Sequence, residues 1–213
     1  MNPVNRLLLL REENKQAKAQ MLLDAPRFQR IEQRAINGTA PKAVTGFNLF
    51  QTPPEVAERM AEVVREELPE GGRILEPSAG LGRLLEPLED IRADWVLVEE
   101  AIEVYKALQA AEKHANKKAV NADFLALTAD ALGGDFDAVC MNPPFKMGRD
   151  IKHIEHALGM IKPGGILVSL CYNGVKQNKK LKPLCDTWEV LPEGSFKKEG
   201  TGASVALLTI RKK

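Results

Sequence analysis

The segment with the most specific chemistry is Asn142 to Phe145, an Asn-Pro-Pro-Phe sequence that follows the apolar run Phe136–Met141. Pro143 and Pro144 lack a backbone N–H and hold the chain extended, so carbonyl oxygens there stay available as acceptors. The Asn142 amide adds another oxygen. A planar amino group between two such acceptors is oriented so that its lone pair can attack an electrophilic methyl group, while Phe145 can stack on the attached ring. A turn of common turn residues is the plain alternative.

Three polar segments lie upstream of this motif, each at the end of a predicted strand. Glu76 begins the sequence Glu-Pro-Ser-Ala-Gly-Leu-Gly, whose glycines allow close backbone approach to a ligand. Glu99 ends the next strand, where a carboxylate can accept hydrogen bonds from the hydroxyls of a ribose. Asp123 and Phe124 offer an acceptor for an adenine amino group and an aromatic face for its ring. Each has an ordinary explanation alone, but three acidic strand ends in order predict one cofactor site.

The elements that must position these residues alternate between short apolar strands and helices. Such alternation predicts a Rossmann-like, doubly wound α/β sheet of about seven strands, mostly parallel with a C-terminal antiparallel hairpin. A capping box at Thr52 is expected to start a helix that runs to about Leu68. Strands are predicted at 73–76, 95–99, 119–122, 136–141, 165–170, 188–191 and 204–211, and further helices at 81–88, 102–113 and 151–161.

The two ends of the chain differ in charge from its middle. Residues 1–46 carry eight Lys/Arg against four Asp/Glu, residues 47–175 carry thirteen against twenty-one, and residues 176–213 carry nine against four. Basic ends suit a polyanion such as nucleic acid, although solvated tails have the same composition. Periodicity in the first segment predicts an N-terminal helical extension, residues 1–46, ahead of one domain, residues 47–213.

Composition limits the compartment and the possible partners. No apolar run approaches the roughly 20 residues that cross a bilayer, and the run at 7–10 is followed by charges rather than by a cleavage site. We therefore expect no membrane partner and a cytoplasmic location. The oligomeric state stays open.

The cysteines and histidines do not have the spacing of metal ligands. Cys140, Cys171 and Cys185 are an odd set, and two of them fall in predicted strands, so free thiols are expected. His153 and His156 are expected on the surface of the helix at 151–161. No metal is predicted.

Taken in order, these motifs resemble class I S-adenosylmethionine-dependent methyltransferases, specifically the amino-methyltransferases with an Asn-Pro-Pro-aromatic motif. The chain is most similar to small DNA adenine methylases of phage and prophage type, and the resemblance runs from about Phe47 to Lys213. It implies that a Phe-x-x-Pro type segment contacts the methionine part of the cofactor and that the glycine motif, ribose acid and adenine site hold the rest. The implied catalytic residues are Asn142, Pro143, Pro144 and Phe145; the implied cofactor-binding residues are Phe50, Gln51, Thr52, Pro53, Glu76, Pro77, Ser78, Ala79, Gly80, Gly82, Glu99, Asp123, Phe124 and Asn142.

The activity that the resemblance implies is direct in-line transfer of the S-adenosylmethionine methyl group to the exocyclic amino group of adenine, in DNA more than in RNA. The motif order resembles the gamma group, which usually adds a target-recognition domain; here recognition is expected from loops at 146–150, 176–182 and 196–202 or from the N-terminal helices. RNA adenine, cytosine and a protein glutamine are alternative acceptors, although the glutamine enzymes usually carry Tyr where Phe145 stands. An inactive cofactor- or nucleic-acid-binding module is the non-enzyme alternative.

Overall fold

The computed structural model describes residues 51–111 and 116–213, so the predicted N-terminal extension and Phe50 lie outside the described residues. No helix in the described ranges is both long and apolar enough to cross a membrane. The helices are α1 (Pro54–Glu67), α2 (Ile102–Ala111), α3 (Ala129–Leu132), α4 (Arg149–Leu158) and α5 (Val175–Lys180), and the strands are β1 (Gly72–Glu76), β2 (Ala93–Glu99), β3 (Lys117–Asn121), β4 (Phe136–Met141), β5 (Ile161–Tyr172), β6 (Thr187–Val190) and β7 (Val205–Arg211).

The strands form one seven-stranded sheet in the order β3-β2-β1-β4-β5-β7-β6. The first five in this order are parallel, whereas β7 lies antiparallel between β5 and β6. The predicted doubly wound sheet with a final antiparallel hairpin is therefore confirmed. Strand β1 pairs directly with β4, and the chain order reverses between these two neighbours. Doubly wound sheets bind ligands outside the carboxyl ends of the strands at such a switch point.

The sheet is buried on both faces, which is why its central strands are almost continuously apolar. Ile74 belongs to the cluster that includes Met60 of α1, whereas its neighbour Leu75 belongs to the cluster that includes Ile154 of α4. Successive strand residues point to opposite faces, so α1 and α4 cover opposite sides. Each fully buried aliphatic side chain contributes about 1.5–3 kcal/mol. The strand ends that follow are thus fixed by a packed frame.

Two predicted elements differ from the structure. The helix expected at 81–88 is a series of turns that ends in a short 3-10 helix, Glu86–Leu88. Gly82 adopts φ +79°, which a right-handed helix does not contain, and Pro87 has no N–H for the helical ladder. The helix predicted at 151–161 ends at Leu158, and β5 begins at Ile161 rather than at the predicted residue 165, so residues 161–164 belong to the strand.

The thiols agree with expectation. Cys140 and Cys171 are buried in β4 and β5, Cys185 is half-buried, and all are free. Burial raises the pKa of the Cys185 thiol to about 11 and holds the pKa of the other two higher still, so these thiols are protonated at neutral pH. Within residues 51–111 and 116–213 there is no group of three or more His, Cys, Asp or Glu side chains that could hold a metal ion.

Candidate active site

A cavity of about 440 Å³ lies at the carboxyl edge of the sheet, in the size range of small-molecule sites. All four predicted catalytic residues line it, together with most of the predicted cofactor-binding residues. Pro53 and Gly82 are not among its lining residues, and Phe50 lies outside the described residues. The predicted cofactor-binding residues that do line the cavity are Gln51, Thr52, Glu76, Pro77, Ser78, Ala79, Gly80, Glu99, Asp123, Phe124 and Asn142.

The glycine motif forms one wall, tied to the neighbouring strand by backbone hydrogen bonds. Ala79 N donates to the carbonyl of Val98 at 2.9 Å, and Gly80 N donates to Glu99 Oε2 at 2.9 Å. Gly80 adopts φ +54°, a left-handed conformation that side chains disfavour. Glu76, which precedes the loop, is 2% exposed. The loop thus runs close along the cavity with its conformation set by β2.

The Glu99 carboxylate stands at the end of β2 and organises the backbone around it. Its two oxygens accept from Gly80 N and from Ala101 N, the latter at 2.8 Å. Burial raises the pKa of the Glu99 carboxyl, and the backbone hydrogen bonds partly oppose that rise. Because a carboxylate offers about four lone-pair sites, it retains the capacity to accept from ligand hydroxyls as well.

The predicted adenine site begins at Asp123. Its Oδ1 accepts from Leu125 N at 3.0 Å and starts the short 3-10 helix Phe124–Ala126. Phe124 is buried, and its ring packs against two histidines of α4, with centroid distances of 5.5 Å to His153 and 4.9 Å to His156. The ring is therefore held in place before any ligand arrives.

The Asn-Pro-Pro-Phe motif follows β4, and its first residue contacts the segment before α1. Asn142 Nδ2 donates to Thr52 Oγ1 at 3.0 Å. The capping box predicted at Thr52 is wrong, since α1 is capped by Pro53, whose carbonyl accepts from Val56 N and Ala57 N without a side-chain cap. The Thr52 hydroxyl bonds instead to a residue 90 positions away. This bond fixes the orientation of the Asn142 amide. Its Nδ2 faces Thr52, and its oxygen lies at the other end of the amide group.

His153 was expected on the surface but is 3% exposed and lines the cavity. Its Nδ1 lies 3.4 Å from Ser78 Oγ, and Nε2 has no hydrogen-bond partner among the described residues. Burial, together with the charge of Arg149, lowers the pKa of the imidazole to about 4, so it is neutral near pH 7. The signal that could have found it is its position next to Ile154 on the apolar face of α4. His156 is half-buried, with Nε2 2.9 Å from the Leu127 carbonyl.

Further charged groups line the cavity that the sequence did not assign to it. Arg149 at the start of α4 pairs with Glu100 just after β2, with Nη2 and Oε2 3.1 Å apart. Arg83 is 8% exposed, and Lys146 follows the catalytic motif. The wall therefore carries both signs of charge. No local pattern marks the Arg149–Glu100 pair, because its two residues are 49 positions apart in the chain.

Residues 54–197 match the family model of the methyltransferase small domain. A curated relative, the rRNA N(6)-adenosine-methyltransferase metl-5 of Caenorhabditis elegans, is 29% identical over 136 residues, 57% of this chain. The ubiquinone biosynthesis O-methyltransferase of Methylocella silvestris is 30% identical over 108 residues, 49% of this chain. The chain spans 62% and 41% of the lengths of these two relatives.

Solved structures share the fold at low sequence identity. A Listeria monocytogenes protein proposed to be a class I S-adenosylmethionine-dependent methyltransferase superposes with a TM-score of 0.64 at 19% identity, covering 78% of this chain and 62% of that one. The Thermus thermophilus 16S rRNA N2 G1207 methyltransferase RsmC, solved with AdoMet and guanosine, gives 0.54 at 24% identity, covering 78% and 45%. The family model matches residues 54–197, more than half of the chain, so the chain belongs to the methyltransferase small domain family and shares the fold of these methyltransferase structures.

Proposed function

We propose that this domain transfers the methyl group of S-adenosylmethionine to the exocyclic amino group of adenine in a nucleic acid. The observation that carries the proposal is the single cavity shared by the motif at Asn142 and the acidic strand ends at Glu76 and Glu99. Strands β1 and β4 are paired neighbours, so the residues that follow them open into one crevice. A cofactor pocket and an amino-group pocket at that crevice are what direct transfer requires.

The residues present fit the cofactor. Its ammonium and ribose hydroxyls need acceptors, which the buried carboxylates of Glu76 and Glu99 supply, and its adenine needs an acceptor and an apolar face, which Asp123 and Phe124 supply. Cationic side chains such as Arg83 in the same wall suit the carboxylate. When bound, S-adenosylmethionine supplies an electrophilic methyl group on a sulfonium sulfur. The cavity of about 440 Å³ lies within the usual range for a ligand of this size.

The chain's own groups then position the acceptor. The Asn142 side-chain oxygen and the Pro143 carbonyl accept hydrogen bonds from the two N–H groups of the target amino group. These two bonds orient the amino group so that its lone pair points out of the plane of the acceptors. Phe145 stacks on the base. The amino proton leaves to water after transfer, so no side chain acts as a strong base, and positioning with hydrogen bonding supplies most of the acceleration. A base in a duplex must first leave the stack.

Two nucleic acids compete as the acceptor. The resemblance to phage-type DNA adenine methylases favours DNA, and we take DNA as the first acceptor to test. RNA is the second candidate because a relative 29% identical over 136 residues is named as an rRNA N(6)-adenosine-methyltransferase. Both acceptors present the same amino group, so the Asn142 chemistry does not discriminate between them.

The deciding experiment incubates the full chain with S-adenosylmethionine and unmethylated double-stranded DNA, single-stranded DNA or RNA of the same sequence. Mass spectrometry of the digested nucleosides should show N6-methyladenine that disappears in Asn142→Ala and persists in the surface control Lys213→Gln. Methylated cytosine would retain the mechanism and change the base. Intact cofactor binding without methylation of any nucleic acid would contradict the proposal and favour a protein glutamine acceptor, and loss of cofactor binding would favour an inactive module.

A further inference from the structure

Two segments beside the catalytic motif are fixed side by side by one buried carboxylate. Asp150, in the first turn of α4, is fully buried. Its Oδ2 accepts from Tyr172 N at 3.0 Å, and both its oxygens accept from Gln177 Nε2 at 3.0–3.1 Å. The loop that follows the Asn-Pro-Pro-Phe motif therefore lies next to the turn that follows β5. We call the surface formed by residues 146–149 and 172–176 the rim.

The rim exposes apolar side chains to an unusual degree. Met147 is 91% exposed, Val175 is 86% exposed and Tyr172 is 41% exposed. These are three of the six large apolar side chains that are exposed within residues 51–111 and 116–213. The ring of Tyr172 lies across Gly174, where an added Cβ would come within 2.7 Å of two ring atoms. It is thus a supported aromatic surface rather than a freely moving side chain.

The backbone at Met147 is strained. Met147 is the one residue other than glycine with positive φ within the described ranges, at φ +58°. A residue other than Gly, Asn or Asp is disfavoured in this left-handed conformation, because its Cβ crowds the following carbonyl oxygen. The almost fully exposed Met147 side chain thus follows directly after Lys146, which lines the cavity. Strain of this kind is concentrated at functional sites.

The charge around these apolar residues is positive. Lys146 is exposed, as are Lys176, Lys179 and Lys180 of α5. Exposed carboxylates offset part of this charge, because Glu155 lies 3.9 Å from Lys180 and Glu100 pairs with Arg149 of the rim. Within the described residues, Lys146, Lys176 and Lys179 form no ion pair, so the net charge beside the apolar side chains stays positive. A basic surface with exposed aromatic and apolar side chains matches a strand of nucleic acid with unpaired bases, because phosphates pair with lysines and bases stack on rings.

We propose that the rim binds the nucleic-acid strand on either side of the target nucleotide. Tyr172 stacks on an unpaired neighbouring base, Met147 fills the gap left when the target base enters the cavity, and Lys176 contacts a backbone phosphate. Apolar side chains inserted between base steps serve this purpose in other nucleic-acid-binding proteins. The inference rests on the proposed function in one respect, namely that the acceptor is a nucleic acid.

Binding by the full chain tests the rim, measured by fluorescence anisotropy with S-adenosylhomocysteine present to prevent turnover. The probes are fluorescein-labelled single-stranded DNA of about 20 nucleotides, RNA of the same sequence, and an abasic strand of equal length. Tyr172→Ala should weaken binding to the strands with bases about tenfold and leave abasic binding unchanged, whereas Tyr172→Phe keeps the ring and the affinity.

The other two rim residues have matched variants. Met147→Asn tolerates the left-handed backbone and should weaken binding, while Met147→Leu keeps an apolar side chain and should retain it. Lys176→Gln should reduce the slope of log Kd against log salt by about one, and Lys212→Gln, at the opposite end of β5, should leave the slope unchanged.

Two failures are distinguishable. Suppose that Tyr172→Ala and Met147→Asn both bind nucleic acid as tightly as wild type and that the protein forms N6-methyladenine normally. That result would overturn the proposal that the rim binds the strand, and it would leave the proposed function standing. Equal loss of abasic and base-containing binding in Tyr172→Ala would also overturn it, since stacking would not be involved. Absence of any methylated nucleoside from the unchanged protein contradicts the proposed function itself, and the rim with it.

Discussion

The two edges of the central sheet hold charged side chains in opposite ways. At the amino edge, Asp137 accepts from Arg73 N at 2.8 Å and from Lys162 Nζ at 2.7 Å. Burial raises the pKa of the Asp137 carboxyl, but these two partners together lower it below its ordinary value. At the carboxyl edge, Glu99 is buried among backbone donors alone, and its pKa is raised. The folded chain therefore stabilises the charged form of Asp137, whereas desolvation destabilises the charged form of Glu99.

The difference separates stability from function. Arg73 shows the amino-edge pattern fully: its guanidinium donates to the carbonyls of Leu132, Gly134 and Asp135 and lies 4.4 Å from the ring centroid of Phe136. The charged side chains of Arg73 and Asp137 thus find their hydrogen-bond partners within the chain itself. The carboxyl edge instead buries Glu76, Glu99 and the neutral His153 around a cavity. Substitutions at the two edges should therefore change different measured quantities.

The largest expected effect is at Asn142. Asn142→Ala should reduce kcat for methyl transfer by about 100- to 1000-fold, the range seen when one group that stabilises a transition state is removed. Cofactor affinity and melting temperature should stay near wild type. Single-turnover methylation with isothermal titration of S-adenosylmethionine measures both, and Thr52→Val, which removes the Asn142 partner but keeps the amide, should lose less activity. Collapse of cofactor binding in Asn142→Ala would show that the residue belongs to the cofactor pocket instead.

His153 should give the next largest effect, through pH. The folded-state pKa of about 4 lies below the ordinary 6.5, so between these values the unfolded chain binds a proton that the folded chain does not. Stability should therefore fall as pH decreases from about 6.5 to about 4, by on the order of 1–3 kcal/mol. His153→Phe removes the titration and should flatten this part of the curve. Urea unfolding at several pH values measures it, and parallel wild-type and variant curves would contradict burial of a neutral imidazole.

Glu99→Gln should sharpen the comparison between the edges. The variant keeps one oxygen acceptor but loses the second, so affinity for S-adenosylmethionine should fall about tenfold or more if Glu99 holds the ribose. Stability should change little, because the desolvation cost of the charge is removed together with a backbone hydrogen bond. Titration calorimetry and thermal melting report the two quantities. A large loss of melting temperature with unchanged affinity would place Glu99 in the same class as Asp137.

The sequence predicted the frame and the strand ends well, because both depend on local patterns. Apolar runs and turn residues locate each strand, and the residue after a parallel strand must lie at the carboxyl edge, which brings Glu76, Glu99 and Asn142 together. The features that the sequence did not predict depend on contacts between residues far apart in the chain. Thr52 matches a local capping pattern, yet its hydroxyl bonds to Asn142, 90 residues away. Asp150 looks like an ordinary charge at a helix start, and only the packed fold shows Gln177 against it.

The smallest expected effect is at Asp137. If a substitution there also changed the active site, the distinction between the two edges of the sheet would fail. Asp137→Asn should lower stability by about 1 kcal/mol at pH 7, a modest value because the Lys162 pair is partly exposed. Its folded pKa is lowered, so its contribution is present above the ordinary value of 3.8 and is lost as pH falls below it. The difference between variant and wild type should thus disappear in acid.

Asp94→Asn, at an exposed position of β2, controls for loss of charge alone. Urea unfolding at pH 7 and below pH 4 measures stability, and titration of S-adenosylmethionine measures the cavity at the other edge. Unchanged cofactor affinity in Asp137→Asn is the expected result, because the packed strands between the edges hold β1 and β4 in register without that carboxylate. Weakened affinity would mean that the amino edge also sets the geometry of the cavity, and that stability and function are not divided between the two ends of the strands.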